Sequence, residues 1–174
     1  MKKFYLVIAL FCLASIAAFA QDNKWGVGLN IGYGTDVSTA FLGAKAEYNI
    51  NEAFTVAASF NHYFKKTIDG EDYNAPGAEA DLKCWDLNLD FHWNVYRSDL
   101  IKFYPLIGLT YLHAKATNEM SNITVSASDG KFGANIGAGV RFDIAANWAI
   151  AAEAKYQIID GSQFVPMATI MYRF

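Results

Sequence analysis

Beyond residue 24 the chain alternates apolar and polar side chains with a period of two, and it does so in eight successive segments. Trp25, Val27, Leu29, Ile31 and Tyr33 make one face of a first predicted strand, and Gly26, Gly28, Asn30, Gly32 and Gly34 make the other. Equivalent strands are predicted over 42–50, 54–64, 84–95, 101–111, 131–144, 148–158 and 164–174. The fourth is the cleanest, with Trp85, Leu87, Leu89, Phe91, Trp93 and Val95 set against Cys84, Asp86, Asn88, Asp90, His92 and Asn94. The fifth is the weakest, because Leu106 and Leu112 interrupt its polar face. Segments of about ten residues have the length that crosses a bilayer when the strands are tilted.

The connections alternate as well. Asn51-Glu52, Arg97-Ser98-Asp99 and Ala145-Ala146-Asn147 read as tight turns after the second, fourth and sixth strands. Residues 65–81 and 116–130 read as long polar loops, and Thr35-Asp36 and Asp160-Gly161 mark two shorter links. Tight turns at one end and longer excursions at the other predict an antiparallel up-and-down meander.

Alternation leaves the phase open, since an apolar face lines the cavity of a soluble lipocalin-like barrel but faces lipid in a membrane barrel. Bulk separates the two. The apolar face carries Trp25, Phe60, Trp85, Phe91, Trp93, Phe103, Phe132, Phe142 and Trp148 among others, more volume than an eight-stranded interior can hold. The opposite face, rich in Gly, Ser, Asn and Thr, suits a narrow lumen. Its charges are of both signs: Lys45, Arg141, Lys155 and Arg173 against Glu47, Asp86, Asp90, Asp143 and Glu153, with His92 among them. Such a set predicts a paired interior network, because an unpaired ion in a confined space costs several kcal/mol. Aromatic positions fall into two groups. Trp25, Tyr48, Phe54, Trp93, Phe103, Phe142, Trp148 and Tyr172 lie beside the tight turns or termini, and Tyr33, Phe60, Phe64, Trp85, Tyr111, Phe132 and Phe164 lie toward the other end. These are expected to form two interfacial girdles.

Composition sharpens this picture. The chain is 53% hydrophobic, 16% aromatic and only 18% charged over 174 residues, which excludes a disordered chain. A formal charge of −3 excludes a basic nucleic-acid footprint. Residues 1–20 have the layout of a secretory signal peptide: Lys2 and Lys3, an apolar stretch, then small residues at Ala18 and Ala20 before a polar segment. Cleavage after Ala20 would leave residues 21–174 as one barrel domain, and removing both lysines would take the formal charge from −3 to −5. Cys84 would then be the single cysteine, so an intramolecular disulfide is not expected in the exported protein.

The alternating strands, the Ala-x-Ala site and the terminal Ile170-Met171-Tyr172-Arg173-Phe174 together resemble the small bacterial outer-membrane barrels of the OmpX and OmpA-barrel type. The resemblance implies an all-β, eight-stranded antiparallel transmembrane β-barrel in the outer membrane, expected to be monomeric. It places the termini and tight turns in the periplasm. It also implies that Ile170, Tyr172 and Phe174 are the signal read by the outer-membrane assembly machinery. Lipid and lipopolysaccharide would be partners, with a surface ligand engaged through 65–81 and 116–130, and no further domain is expected after Phe174.

Catalytic, cofactor and metal residues are not assigned. The glycine spacings, such as Gly137-x-Gly139, open no helix and so lack the context of a nucleotide loop. Cys84, Asp86, Asp90 and His92 form an inward row, but residues two apart on a strand spread their side chains by about 7 Å, so a shared metal would need ligands from other strands. The runner-up is an enzyme modifying lipid A at the rim, for which His62, His113, Ser121, Ser126 and Ser128 are candidates without a fixed carboxylate. A non-enzymatic role in envelope integrity or adhesion is the first expectation, and a soluble cavity-binding barrel is the third.

Overall fold

The structure, a computed structural model, describes residues 24–69, 79–120 and 123–174. The expected leader 1–20, the middle of the expected loop 65–81 and Ser121 fall outside the described residues. The strands are β1 (Trp25–Gly34), β2 (Thr39–Asn49), β3 (Phe54–Tyr63), β4 (Lys66–Asp69), β5 (Glu79–Trp93), β6 (Tyr96–Arg97), β7 (Ile101–Met120), β8 (Ile123–Asp143), β9 (Trp148–Ile158) and β10 (Gln163–Arg173). Short β4 continues the line of β3 along β5, and β6 continues that of β5 along β7. The wall therefore has eight staves, each antiparallel to its sequence neighbours.

Two pairings turn this meander into a closed cylinder. Strand β5 pairs with β7 from Glu79↔Glu119 to His92↔Leu106, and β1 pairs with β10 from Gly26↔Arg173 to Gly32↔Met167. At the seam, Trp25 N donates to Phe174 O and Phe174 N donates to Trp25 O, at 3.3 and 3.0 Å. Closure leaves no strand edge in the wall, the arrangement that apolar surroundings demand.

Burial follows the phase chosen on volume. Strand β9 alternates exposed and buried at every residue from Trp148 to Ile158, with the polar positions Glu153, Lys155 and Gln157 buried. Leu29, Ile107, Leu109 and Phe132 point outward and are 61%, 61%, 64% and 82% exposed, so the large apolar side chains coat the exterior. Members of each aromatic group pack against one another. Trp25 packs on Tyr48 and Trp148 on Tyr172 at the turn end, while Phe60, Trp85, Tyr111 and Phe132 adjoin at the opposite end.

The turns explain the end-to-end asymmetry. Asn51 Oδ1 accepts from the amides of Ala53 and Phe54, and Ser98 Oγ accepts from the amide of Ile101, closing two turns with side-chain caps. At the other end Gly161 has φ +88°, a left-handed conformation that a side chain would strain, and it links β9 to β10.

Three expectations need correction. Residues 116–130 are not a long loop: β7 and β8 stay paired out to Met120↔Ile123, with only two residues between them. Likewise 65–81 is partly strand, because Lys66–Asp69 pairs with Glu79–Leu82. The polar composition hid these extensions, since strands that continue past the apolar band pair through their backbones and need no alternation of apolar side chains. The interior is also not uniformly polar. Leu112, an irregularity in the sequence pattern, faces inward with Val37, Phe41, Tyr63, Cys84, Ile159, Val165 and Met167 as an apolar cork near the hairpin end.

Small residues let the lumen close around larger ones. A Cβ on Gly139 would lie 2.6 Å from the Tyr104 ring, so the glycine makes room for that ring to cross the lumen. The exterior at mid-height carries the complementary prediction. Ile107→Arg is expected to destabilise the barrel by about 2–4 kcal/mol in lipid, as charge on a hydrocarbon face does near the midplane; urea unfolding in vesicles, followed by tryptophan fluorescence, measures it.

Candidate functional site

The site that the fold builds is the lumen. Inward positions on every stave project into a space only just wide enough for side chains, so polar groups meet across it. All ten residues expected in the interior network occupy the lumen, eight of them fully buried and Asp143 and Arg173 half-buried at the turn end.

One cluster begins at that end. Arg173 donates to Asp143 at 2.9 Å, and Lys102 lies 3.5 Å from the same carboxylate. Arg141 donates to Glu47 Oε2 at 2.8 Å, and Glu47 Oε1 lies 3.2 Å from Lys45. Lys45 also donates to Glu153, whose Oε1 accepts from the Tyr104 hydroxyl at 2.7 Å. His92 stacks on Tyr104 with ring centroids 4.6 Å apart and planes 12° from parallel.

A second cluster fills the middle of the lumen. Lys155 donates to Asp90 at 3.2 Å, and Asn135 donates to Asp90 and to Asn88. Asp86 accepts from Asn61, Asn88, Gln157 and the Tyr63 hydroxyl, the last at 2.8 Å. Tyr63 thus joins the network by its hydroxyl and the apolar cork by its ring, where it packs on Phe41. Gln163 donates to Gln157, and Thr169 donates to Asn30, which donates to Asn61.

Charge balances across these clusters. Lys45, Lys102, Arg141, Lys155 and Arg173 face Glu47, Asp86, Asp90, Asp143 and Glu153. Lys102 was not anticipated in the network, nor were Tyr63, Tyr104 and the amides of Asn30, Asn61, Asn88, Asn135, Gln157 and Gln163. Their inward parity in the alternation was the available signal. Alternation alone does not say which polar residue reaches which partner across the cylinder.

The chemically versatile side chains are mostly engaged with one another or kept apart. Glu47, His92 and Glu153, from three staves, bring potential metal-ligand atoms within 4.8 Å of one another. Lys45 already serves both carboxylates there, so the positive charge they require is supplied by the chain itself. Cys84 and Asp86 do not join that set, since the thiol lies in the cork and the carboxylate in the middle cluster. The rim candidates are also dispersed. His62 and His113 are on the exterior to either side of Trp85, and among the described residues neither pairs with a carboxylate. Ser128 is exposed opposite Lys115, while the side chain of Ser126 falls outside the described residues.

Known proteins share this architecture. The sequence profile of the outer membrane protein beta-barrel domain family matches residues 6–170. The attachment invasion locus protein Ail of Yersinia pestis, solved with the heparin analogue sucrose octasulfate, is similar at 21% identity and a TM-score of 0.60, over 86% of this chain and 96% of that one. The N-terminal β-barrel domain of Pseudomonas aeruginosa OprF is similar at 16% identity and a TM-score of 0.57, over 87% and 98%. A major outer membrane protein of Thermus thermophilus is similar at 13% identity and a TM-score of 0.64, again over 87% and 98%. No curated protein matches the chain.

Within the lumen, Lys45 is the cation shared by two carboxylates. Lys45→Met is therefore expected to destabilise the barrel by about 3–5 kcal/mol, the range for removing one partner of a buried pair. The shift in urea midpoint measures the loss, and Lys45→Met combined with Glu153→Gln should recover part of it.

Proposed function

The chain belongs to the outer membrane protein beta-barrel domain family and resides in the bacterial outer membrane, and from this we propose that it is a non-enzymatic surface barrel. Its task is envelope integrity and contact with an extracellular ligand through the β4–β5 and β7–β8 hairpins. In this reading residues 1–20 are removed on export, with Ala18 and Ala20 at the cleavage site. The termini and tight turns lie in the periplasm, the protein is a monomer among lipid and lipopolysaccharide, and Ile170, Tyr172 and Phe174 guide the assembly machinery.

The observation that carries the proposal is the length of one hairpin. Strands β7 and β8 run for 20 and 21 residues, against 10 and 11 for β1 and β2. A tilted span needs only about 9–11 residues. About ten residues of each strand are therefore surplus, and at about 3.3 Å per residue they carry the tip roughly 30 Å from the wall. A ribbon of that reach has no use within the bilayer and is suited to contact beyond it. The lumen supports the same reading: it is filled by paired side chains and corked by Phe41, Leu112 and Met167, which suits a plug better than a solute path. Unpaired, outward-facing rim histidines likewise suit a barrel without a catalytic rim.

Ail, a barrel of similar fold, holds a heparin analogue, which makes sulfated glycan the ligand to try first. Replacing residues 114–129 by a two-residue Asn-Gly turn is expected to leave a barrel that still changes gel mobility on heating, while cells displaying it lose adhesion to heparin-coated beads. Adhesion equal to that of the full-length protein, or none by the full-length protein, would refute this role for the hairpin. Deleting Phe174 is expected to lower the yield of heat-modifiable barrel in the outer membrane several-fold, and an undiminished yield would remove the assembly role assigned to it.

A further inference from the structure

One patch of the exterior is unlike the rest. Lys83 on β5 and Lys115 on β7 are both exposed, point outward and are cross-strand partners. Directly opposed side chains have their Cβ atoms about 4.5–5.5 Å apart, and like charges at that distance destabilise a sheet. Among the described residues no carboxylate pairs with either lysine. On the same face, one step farther along β5, Asp81 is engaged by Lys65 at 2.7 Å, so these four groups leave an excess of positive charge.

Beneath the lysines lies an aromatic shelf. Trp85 stacks on His113 with centroids 5.2 Å apart, and it also packs on Phe60 and Tyr111 at 5.9 and 5.6 Å. Tyr111 continues to Phe132 at 4.6 Å and leans over Gly130, where a side chain would collide with the phenol. The shelf therefore spans β3, β5, β7 and β8 without interruption. Its position is that of the interfacial girdle, and the two ammonium groups sit one residue pair outside it, at the level of headgroups.

We propose that Lys83 and Lys115, with the Trp85–His113 shelf, bind the phosphorylated sugar headgroup of a glycolipid in the outer leaflet. A phosphate offers the anion that two adjacent ammonium groups lack, and its charge offsets their mutual repulsion. Sugar rings present C–H faces that lie flat on aromatic rings, whereas a glycerol headgroup has no such face. The inference rests on the hairpin end facing outward, as proposed above.

Lipid retention by the intact protein, purified in detergent and read by native mass spectrometry, tests it. The probes are bisphosphorylated lipid A, the same lipid A stripped of phosphate, and phosphatidylglycerol. Lys83→Gln with Lys115→Gln is expected to weaken retention of bisphosphorylated lipid A roughly tenfold or more. Lys83→Arg with Lys115→Arg should retain it, and the stripped lipid should not distinguish the Gln variant from the wild type. Both variants lie on the exterior, and unchanged heat-modifiable mobility verifies that they fold. Equal retention by wild type and the Gln variant would overturn the proposal, as would displacement of lipid A by equimolar phosphatidylglycerol. Because Lys115 also lies within residues 114–129, heparin adhesion is read on the Gln variant as well, and adhesion kept there while lipid A retention falls separates this site from the role assigned to the β7–β8 hairpin.

Discussion

Everything in this barrel follows from the need to satisfy backbone hydrogen bonds where no water is present. A sheet in hydrocarbon has no solvent to serve an open edge, and each unsatisfied amide costs several kcal/mol. The seam between the first and last strands is the answer, where Trp25 and Phe174 exchange backbone hydrogen bonds. The aromatic C-terminus is therefore a structural stave end before it is anything else.

Closure with eight staves fixes the next constraint, which is lack of room. The lumen must be filled by the chain, and whatever fills it is cut off from water. Glycines such as Gly139 yield space to Tyr104, and charges are admitted only in company. Lys45 lies between Glu47 and Glu153, and Asp86 accepts from four neighbouring side chains. Since each group owes its place to several partners drawn from different staves, the network couples opposite walls of the cylinder. Ion pairs so buried are a weak source of net stability, and a one-residue slip in register would turn them to the lipid face.

Much of this was legible in the sequence because a membrane barrel obeys one simple rule along each strand. Parity placed Lys45, Asp90 and Lys155 inside and Leu29, Phe91 and Ile150 outside, and volume determined which face was which. The rule fails where its cause is absent. Past the apolar band there is no lipid to demand an apolar face, so residues 116–130 lose alternation while keeping their strand pairing. Leu112 looked like an error in the pattern because parity carries no information about depth, and near the hairpin end the lumen is apolar. The partnerships across the lumen were illegible for a third reason: they depend on the curvature and stagger of the closed cylinder, which no local pattern encodes.

The unbroken ladder of β7 and β8 also makes the barrel a mechanical device. A partner attached at the hairpin tip pulls both strands along their own length, and the load is carried in shear by the neighbours that flank them. Strand β5 grips β7 from Glu79 to His92, far up the projecting ribbon, while β9 grips β8 only between Ala134 and Asp143. Tension therefore spreads over many hydrogen bonds at once on the β5 side, rather than peeling them one by one, and it enters the wall unevenly. A load of this kind enters the wall through the pairing of β7 with β5 before it reaches that of β8 with β9.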